Sequence, residues 1–396
     1  MSETKGGPDT TTSSSADTDP QDQVAEEVAT EDLDEAPTRS PLKSALIAAA
    51  LIFGTLVLLV IAAKVLPGTS GTIARAMLRE ALAPGTAAMA IAIIGLNIHF
   101  GFTGILNMGQ SGYMLLGAYG FSISIWHGLP MWLGILIGLG LSVLFSLFLG
   151  VPTLKLRGDY IAMVTISAAE ILRFTGRLAA LEDFSGAAQG IPGSGYRDPF
   201  VNLSFLPQEG TWNFIGIMEY QWTGVNGWWV RLVAWALVAV CTVVVALLVL
   251  SPWGRLLRGI REDEDAIRSL GKNVFAVKMQ ALIIGGLFGS IAGMLYILPS
   301  SMQPDAMGRN LTFFAWTALL LGGAASVFGP VLGSILFFSV RILIQGTAGA
   351  LVPPEIMNTA QTKQFAWVCV GIALMALVVF RPQGILGNKK EVRFNV

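Results

Sequence analysis

The chain has 396 residues, of which 53% are hydrophobic and only 13% are charged. Average soluble domains carry about 25% charged residues, so this composition excludes an ordinary soluble protein and indicates a membrane protein. The net charge of −1 hides an asymmetry, because residues 1–40 contain eleven acidic side chains and only two basic ones. We therefore expect an acidic leader followed by a mildly basic membrane body.

The first 43 residues are rich in Ser, Thr, Asp, Glu and Pro and almost lack large apolar side chains. Such a segment cannot bury enough apolar surface to offset the entropy of ordering, so we predict a disordered tail over 1–43. A transmembrane domain is predicted over 44–387, followed by a short cytoplasmic tail over 388–396. The uncharged run 44–63 has the length of a first membrane span.

The apolar stretch 84–126 is interrupted midway by polar and glycine residues. A helix that faces lipid does not tolerate this, because unpaired backbone groups at membrane depth must be buried in protein or line a watery cavity. Two interpretations remain open: a functional break that lines a substrate path, or a short loop at the cytoplasmic face that joins two full spans, with the amides as caps. We favour the first. The path residues predicted in this stretch are Asn97, Thr103, Asn107, Gln110 and Ser111.

Two further spans are predicted over 131–151 and 160–175. In the second of them, Glu170 and Arg173 fall three residues apart on one helical face, close enough to pair. Pairing lowers the cost of charge near lipid, which for an unpaired Arg at mid-membrane is about 2.5–3.5 kcal/mol. Either the pair faces a cavity, or the helix end is already at the outer interface. We add Glu170 to the predicted path.

The polar connection 178–227 is predicted to be external, and the span 228–250 leads from it to Ser251–Asn273, which we call the charged segment. This segment interleaves five basic with four acidic side chains. Lys and Arg resist translocation, so it is predicted to be cytoplasmic. Apolar residues at roughly helical spacing predict a short amphipathic helix from Arg255 to Gly271, with Gly271 as its stop. The alternative is a plain loop whose charges only fix topology.

Further spans are predicted over 274–298 and 365–380. Between them, 312–328 and 331–344 are predicted to be either two spans or a re-entrant pair. Gly289 and Gly293 form a GxxxG spacing, which is typical of close contact between two helices. Basic residues follow the last span, so both ends of the chain are predicted to be cytoplasmic. The predicted fold class is all-α: a polytopic transmembrane helix bundle of about 8–10 spans with a broken helix.

Several classes of function are disfavoured. No Walker A sequence is present, so the chain is not expected to bind ATP by that route. Its two histidines, His99 and His127, lack the spacing of metal ligands, and its two cysteines lie singly in apolar runs. No Ser-His-Asp arrangement and no acidic relay along several spans can be traced. We expect no enzymatic activity, no metal and no cofactor in this chain, and no nucleic-acid partner.

Four stretches carry a resemblance to a known family: Gly95–Tyr119, Leu156–Arg173, Gly254–Lys278 and Leu320–Gly333. In this order they resemble the M-subunit of Liv-type branched-chain amino-acid ABC importer permeases, and the similarity covers about residues 44–387. In that family the loop that matches the charged segment forms a cytoplasmic coupling helix, which docks on the ATPase. The coupling residues that the resemblance implies are Arg255, Arg258, Arg261, Asp263, Glu264, Ala266 and Gly271.

The resemblance implies the permease subunit of an ATP-driven importer for branched-chain and other neutral hydrophobic amino acids, in a bacterial plasma (inner) membrane. Its implied partners are two cytoplasmic ATPase subunits that carry ATP and Mg²⁺, a related H-type permease, an extracytoplasmic substrate-binding protein and membrane lipid. A permease for urea or short amides from the same superfamily is one alternative. An ion-coupled carrier that acts without an ATPase is an alternative of a different class.

Overall fold

The computed structural model of the protein describes residues 41–154, 156, 158–207, 209–214, 216–353, 357–380 and 384–387. Of the predicted tails, residues 1–40 and 388–396 lie outside the described residues. Residues 47–396 form one compact unit, and the other unit is described only at 41–46, where the first helix begins.

The described residues are mainly helical. In chain order, the α-helices are α1 (Pro41–Val65), α2 (Gly68–Ala81), α3 (Pro84–Leu96), α4 (Gln110–Trp126), α5 (Met131–Thr153), α6 (Gly158–Gly176), α7 (Glu182–Ser185), α8 (Asp198–Asn202), α9 (Trp228–Leu250), α10 (Pro252–Glu262), α11 (Glu264–Ser269), α12 (Val274–Ile297), α13 (Arg309–Gly322), α14 (Gly329–Leu351) and α15 (Thr359–Phe380). Strands β1 (Thr211–Phe214) and β2 (Met218–Gln221) form an antiparallel hairpin in which Thr211 lies opposite Gln221.

Six of the described helices are long and apolar enough to cross a membrane: α1, α3 with its continuation to Phe102, α5, α9, α12 and α14. Each has about the 20 apolar residues that a bilayer core requires. The chain is therefore a multi-pass membrane protein, and the predicted all-α, polytopic class is confirmed.

Helix α12 lies at the centre of the bundle, against α3, α4 and α5. The predicted GxxxG spacing explains this close approach, because small residues let backbones meet. A Cβ atom on Gly293 would lie 1.9 Å from the carbonyl oxygen of Met114 on α4, and one on Gly117 would lie 2.2 Å from that of Ser290 on α12. These glycines therefore serve packing inside the chain.

The connection between α6 and α9 forms a compact cap of short helices and the β hairpin. Its hairpin is fixed to the bundle by Arg231 of α9, which is only 6% exposed. The Arg231 guanidinium lies 3.8 Å from the ring centre of Tyr220 on β2, and its Nη1 donates to the carbonyl of Leu82 at 3.2 Å. One cation therefore joins α9, the hairpin and the α2–α3 turn.

Two predicted boundaries are wrong. The predicted span 312–328 ends at Gly322, because Gly323 adopts φ +108°, a conformation that does not continue a helix. The predicted span 331–344 is part of the longer α14, which continues through the small and polar residues 345–350 to Leu351. Arg341, inside the predicted span, pairs with Glu80 of α2 at 2.7 Å.

Candidate functional site

The predicted break in the stretch 84–126 is present. Helix α3 passes at Asn97 into a π-helical turn that ends at Phe102, and regular structure resumes only when α4 begins at Gln110. Single π-helical turns inside α-helices are frequent at functional sites. The five polar residues predicted for this stretch are no more than 2% exposed: Asn97, Thr103, Asn107, Gln110 and Ser111.

Asn107 is the centre of a buried hydrogen-bond network. Its amide nitrogen donates to Nδ1 of His99 at 2.9 Å and to Oε1 of Gln110 at 3.3 Å, and its Oδ1 accepts from the backbone N–H of Gly109 at 2.8 Å. Because Nδ1 of His99 accepts, the ring proton lies on Nε2, which donates to the Leu282 carbonyl at 3.1 Å. The network is therefore neutral, and its outer donors end on backbone carbonyls of neighbouring helices.

Asn97 makes a second set of contacts, with the loop between α13 and α14. Its Oδ1 accepts from the N–H of Ala325 at 2.9 Å, and its Nδ2 donates to the carbonyl of Ser326 at 2.8 Å. Thr103 instead bonds back to Ile98 of its own π-helical turn at 2.8 Å. The break is thus tied both to α12 and to the α13–α14 loop.

The position of the break bears on the two interpretations left open. Residues 84–102 make a helix of about 28 Å at 1.5 Å per residue, which is close to a full bilayer core. The turn that follows therefore lies at the end of a span, as the loop interpretation expected. Its amides are nevertheless buried among α3, α4 and α12, as expected for the functional break.

Glu170 does not belong to this network. Its carboxylate binds Arg173 at 2.7 Å and accepts from the N–H of Arg309 at 3.0 Å, and Arg173 also pairs with Asp305. The predicted pair is therefore present, but it ties the end of α6 to the start of α13. This agrees with a helix end near an interface, the second of the two alternatives for the pair.

The charged segment contains two helices where one was predicted. Asp263 adopts an extended conformation, with φ −150° and ψ 105°, and separates α10 from α11. Its Oδ1 accepts from the N–H groups of Asp265 at 2.9 Å and Ala266 at 3.0 Å, so it acts as the N-cap of α11. The prediction missed this because it treated Asp263 only as a charge.

The predicted stop at Gly271 is confirmed. Gly271 has φ +74°, and the N–H groups of Gly271 and Lys272 donate to the carbonyls of Arg268 at 3.0 Å and Ile267 at 3.4 Å. This is the Schellman pattern that ends a helix at glycine.

Helix α11 and the residues after it present an exposed surface. Leu270 is 72% exposed, although it is a large apolar residue. On this surface, Glu264 accepts from Arg268 at 2.9 Å and pairs with Lys278 of α12. These residues line a groove of about 550 Å³ together with Leu154 and Leu156. A single exposed apolar residue does not mark a docking surface by itself, so docking here is expected from the family resemblance of the charged segment.

Helix α10 connects the charged segment to the break. Its Leu257 and Ile260 side chains are buried, and Nη1 of Arg261 donates to the carbonyl of Gly101 in the π-helical turn. The Arg258 guanidinium lies 5.9 Å from the ring centre of Phe102 in the same turn. The charged segment and the broken span are therefore in direct contact.

The seven predicted coupling residues fall into three groups in the structure. Arg258 and Arg261 lie against the break, and Glu264 pairs with Arg268 of the segment and with Lys278 of α12. The exposed members are Arg255, Asp263, Ala266 and Gly271. The sequence reasoning missed His99 and Lys278 as members of these networks, because no metal spacing marked the first and the second lies within an apolar helix.

These features together, a polytopic helical bundle and a charged segment that rests on a broken, neutral span, are those expected of a membrane transport permease. A model of the family "Branched-chain amino acid transport system / permease component" matches residues 79–379. The chain belongs to this family of ABC transporter permeases, as the sequence resemblance predicted.

Curated relatives are consistent with this membership. The high-affinity branched-chain amino acid transport system permease protein LivM of Escherichia coli K12 is 30% identical over 305 residues, which are 74% of this chain and 66% of the relative. The probable branched-chain amino acid transport permease protein LivM of Methanocaldococcus jannaschii is 24% identical over 344 residues, 76% of this chain and 90% of the relative. The nucleoside ABC transporter permease protein NupC of Lactococcus lactis is 25% identical over 250 residues, 59% of this chain and 71% of the relative. No solved structure matches the chain.

Proposed function

We propose that this chain is the membrane-spanning subunit of an ATP-driven importer for branched-chain and other neutral hydrophobic amino acids. Family membership and the names of the LivM relatives support the cargo class. The single structural observation that supports the mechanism is the contact of Arg261 with the Gly101 carbonyl. It gives an exposed segment a direct mechanical link to a break in a buried span.

In this proposal, two cytoplasmic ATPases carry ATP and Mg²⁺ and dock on the exposed surface around Ala266, Leu270 and Gly271. Closure of the ATPases displaces α11, and α10 moves with it because Asp263 both caps α11 and donates its N–H to the Gly259 carbonyl of α10 at 2.9 Å. Leu257 and Ile260 pack α10 against the bundle, so its displacement is passed to the π-helical turn through Arg261. This is rigid-body transmission through packed elements, which needs no flexible linker.

The amide network serves as the gate of the proposed path. In the described conformation its polar groups bond to one another and to nearby backbone groups, and we assign this arrangement to the closed state of the path. Displacement of the π-helical turn exchanges these hydrogen bonds for bonds to cargo or water, at little net cost because the donors and acceptors stay satisfied. A neutral network suits cargo without net charge. The residues proposed to line the open path are Asn97, Thr103, Asn107, Gln110 and Ser111, with Glu170 at its outer mouth.

The remaining partners follow from the same proposal. A related H-type permease completes the membrane-spanning pair, and an extracytoplasmic substrate-binding protein delivers cargo to the cap between α6 and α9. The protein then lies in a bacterial plasma membrane with both chain ends in the cytoplasm, surrounded by lipid. The charged segment, which holds five bases, is on the cytoplasmic side.

A nucleoside is the second candidate cargo, because NupC is among the relatives. Nucleosides are also neutral and hydrogen-bond through amide-like edges, so the network accommodates either class. Urea and short amides remain alternatives because they are also neutral and form amide hydrogen bonds. An ion-coupled carrier would need no docking surface at Leu270.

The test is uptake of labelled leucine by cells that lack this chain, with and without the restored gene. Unlabelled isoleucine, phenylalanine, guanosine and urea are added as competitors, and ATP is depleted in a parallel arm. We expect restored uptake that isoleucine and phenylalanine compete and that ATP depletion abolishes. Leucine uptake that is not restored would contradict the amino-acid cargo, and labelled guanosine and urea would then be tested as substrates. Uptake that survives ATP depletion with an intact ion gradient would overturn the ATP-driven mechanism.

A further inference from the structure

A short segment near the end of the described chain caps helix α13. The backbone N–H groups of Ile385 and Leu386 donate to the carbonyls of Leu321 at 3.1 Å and Gly322 at 3.0 Å. The last carbonyls of a helix have no partner within the helix, so donors from another segment satisfy them. We call Gly384–Gly387 the strap.

The strap fits against α13 only because glycines lie on both sides of the contact. Gly384 has φ +69°, and a Cβ atom on it would lie 2.2 Å from the carbonyl oxygen of Leu320. Gly323 has φ +108°, and a Cβ atom on it would lie 2.3 Å from the backbone nitrogen of Gly387. A side chain at either position would push the two backbones apart.

The loop that follows α13 connects the end of that helix, where the strap binds, to the break. Ala325 in this loop has φ +62°, although it is not a glycine, and such a conformation persists only where neighbouring contacts impose it. The contacts are the two hydrogen bonds to Asn97. A Cβ atom on Gly101 would lie 2.6 Å from the Ala325 nitrogen, so the loop presses on the same residue whose carbonyl binds Arg261.

We propose that the strap is a positioning element of the transport cycle, which holds the 323–328 loop against Asn97 and thereby keeps the break closed. The proposal rests on the proposed function of the break as a gate. The strap then controls the gate through a second contact, which does not involve the charged segment. Gly101 is then held from two elements, by Arg261 of α10 and by the loop that the strap fixes.

The perturbing variants are Gly384→Ala, which places a Cβ against Leu320, and Ile385→Pro, which removes one donor to α13. The matched control is Ile385→Ala, because the Ile385 side chain is 42% exposed and its N–H is kept. The first measurement is amide hydrogen exchange of residues 323–328 in the full chain. We expect exchange about tenfold faster in both perturbing variants, as for one lost hydrogen bond, and unchanged exchange in the control.

The second measurement is leucine transported per ATP hydrolysed by the assembled transporter in liposomes, at matched protein levels. We expect both perturbing variants to lower this ratio about tenfold while ATP hydrolysis continues, and the control to match the original chain. A strap with only a structural role would lower the amount of protein and leave the ratio unchanged.

The outcomes separate the two proposals. Unchanged exchange in Gly384→Ala and Ile385→Pro would overturn the proposal that the strap holds the loop, whatever the cargo is. Faster exchange with an unchanged transport ratio would overturn its part in the cycle. If the original chain itself moves no leucine, the proposed function fails, and the exchange data still decide whether the strap holds the loop.

Discussion

The broken span and the charged segment lie in direct contact, yet they use opposite chemistry. Around Asn107, short neutral side chains are buried and hydrogen-bonded to one another. In α11, charged side chains are mostly exposed and pair on the surface, as Arg268 does with Asp265 at 2.7 Å. Buried polar groups cost about 1–3 kcal/mol each when left unpaired, whereas exposed ion pairs contribute about 0–1 kcal/mol.

This difference suits the roles that we propose. A gate needs a well-defined closed state, and a buried network provides one because every lost partner is costly. A docking surface needs groups that a partner can contact without first breaking buried hydrogen bonds, and exposed ion pairs meet that need. Arg261 is where the two kinds of chemistry meet, since its charged side chain reaches a backbone carbonyl of the break.

Asn107→Leu should have the largest effect on stability. It leaves Nδ1 of His99, Oε1 of Gln110 and the N–H of Gly109 without this partner, so we expect a loss of about 3 kcal/mol. The measurement is the midpoint of thermal unfolding in detergent, which should fall by at least about 6 °C. The control is Gln364→Leu, which changes an exposed amide. Equal midpoints for the two variants would contradict a buried network that stabilises the fold.

Gly271→Arg should cost less stability but abolish uptake. A Cβ atom there meets nothing within 4 Å, so the cost comes from φ +74° and is about 1 kcal/mol. The variant shifts the end of α11 and places a long side chain on the docking surface. The control is Gly271→Asn, because Asn tolerates this conformation. Leucine uptake at equal membrane levels is the readout, and normal uptake in the Arg variant would count against docking at this surface.

Arg268→Ala should have the smallest effect. Its ion pairs with Glu264 and Asp265 are exposed, with the Arg268 side chain at 62%, so we expect a change in stability of at most about 1 kcal/mol. Uptake should stay within about twofold of the original chain at physiological salt, where such pairs are screened. A loss as large as that of Asn107→Leu would show that our contrast between the two regions is wrong.

The sequence predicted the fold class and the existence of both regions, because each rests on composition. A run of apolar residues predicts a span, and amides within it predict a break. The stop at Gly271 was predictable because glycine has few competitors at that position of a helix end. The pairing of Glu170 with Arg173 followed from helical spacing alone.

The sequence did not predict features that depend on contacts between distant residues. Asp263 divides the charged segment because its side chain caps a helix, and a charge pattern does not distinguish a cap from a solvated acid. Asn97 binds a loop more than 220 residues away, and Lys278 looks from the sequence like an interruption of an apolar helix. Arg261 was singled out for docking by resemblance, but its bond to Gly101 needs the folded bundle.

The most direct test of the link between the regions is a reversible cross-link that replaces it. A Cβ atom on Gly104 would lie 3.7 Å from the Cβ of Arg261, close to the spacing of about 3.8 Å that a disulfide requires. Gly104→Cys and Arg261→Cys are combined in a chain whose own Cys241 and Cys369 are replaced by Ala, and Gly104→Cys alone is the control.

Leucine uptake is then measured before and after oxidation. If the charged segment and the break move as one body through Arg261, the reduced double variant should transport poorly, and the disulfide should restore uptake toward that of the control. Our account is contradicted if the disulfide forms and uptake stays low, or if the reduced variant already transports as well as the control.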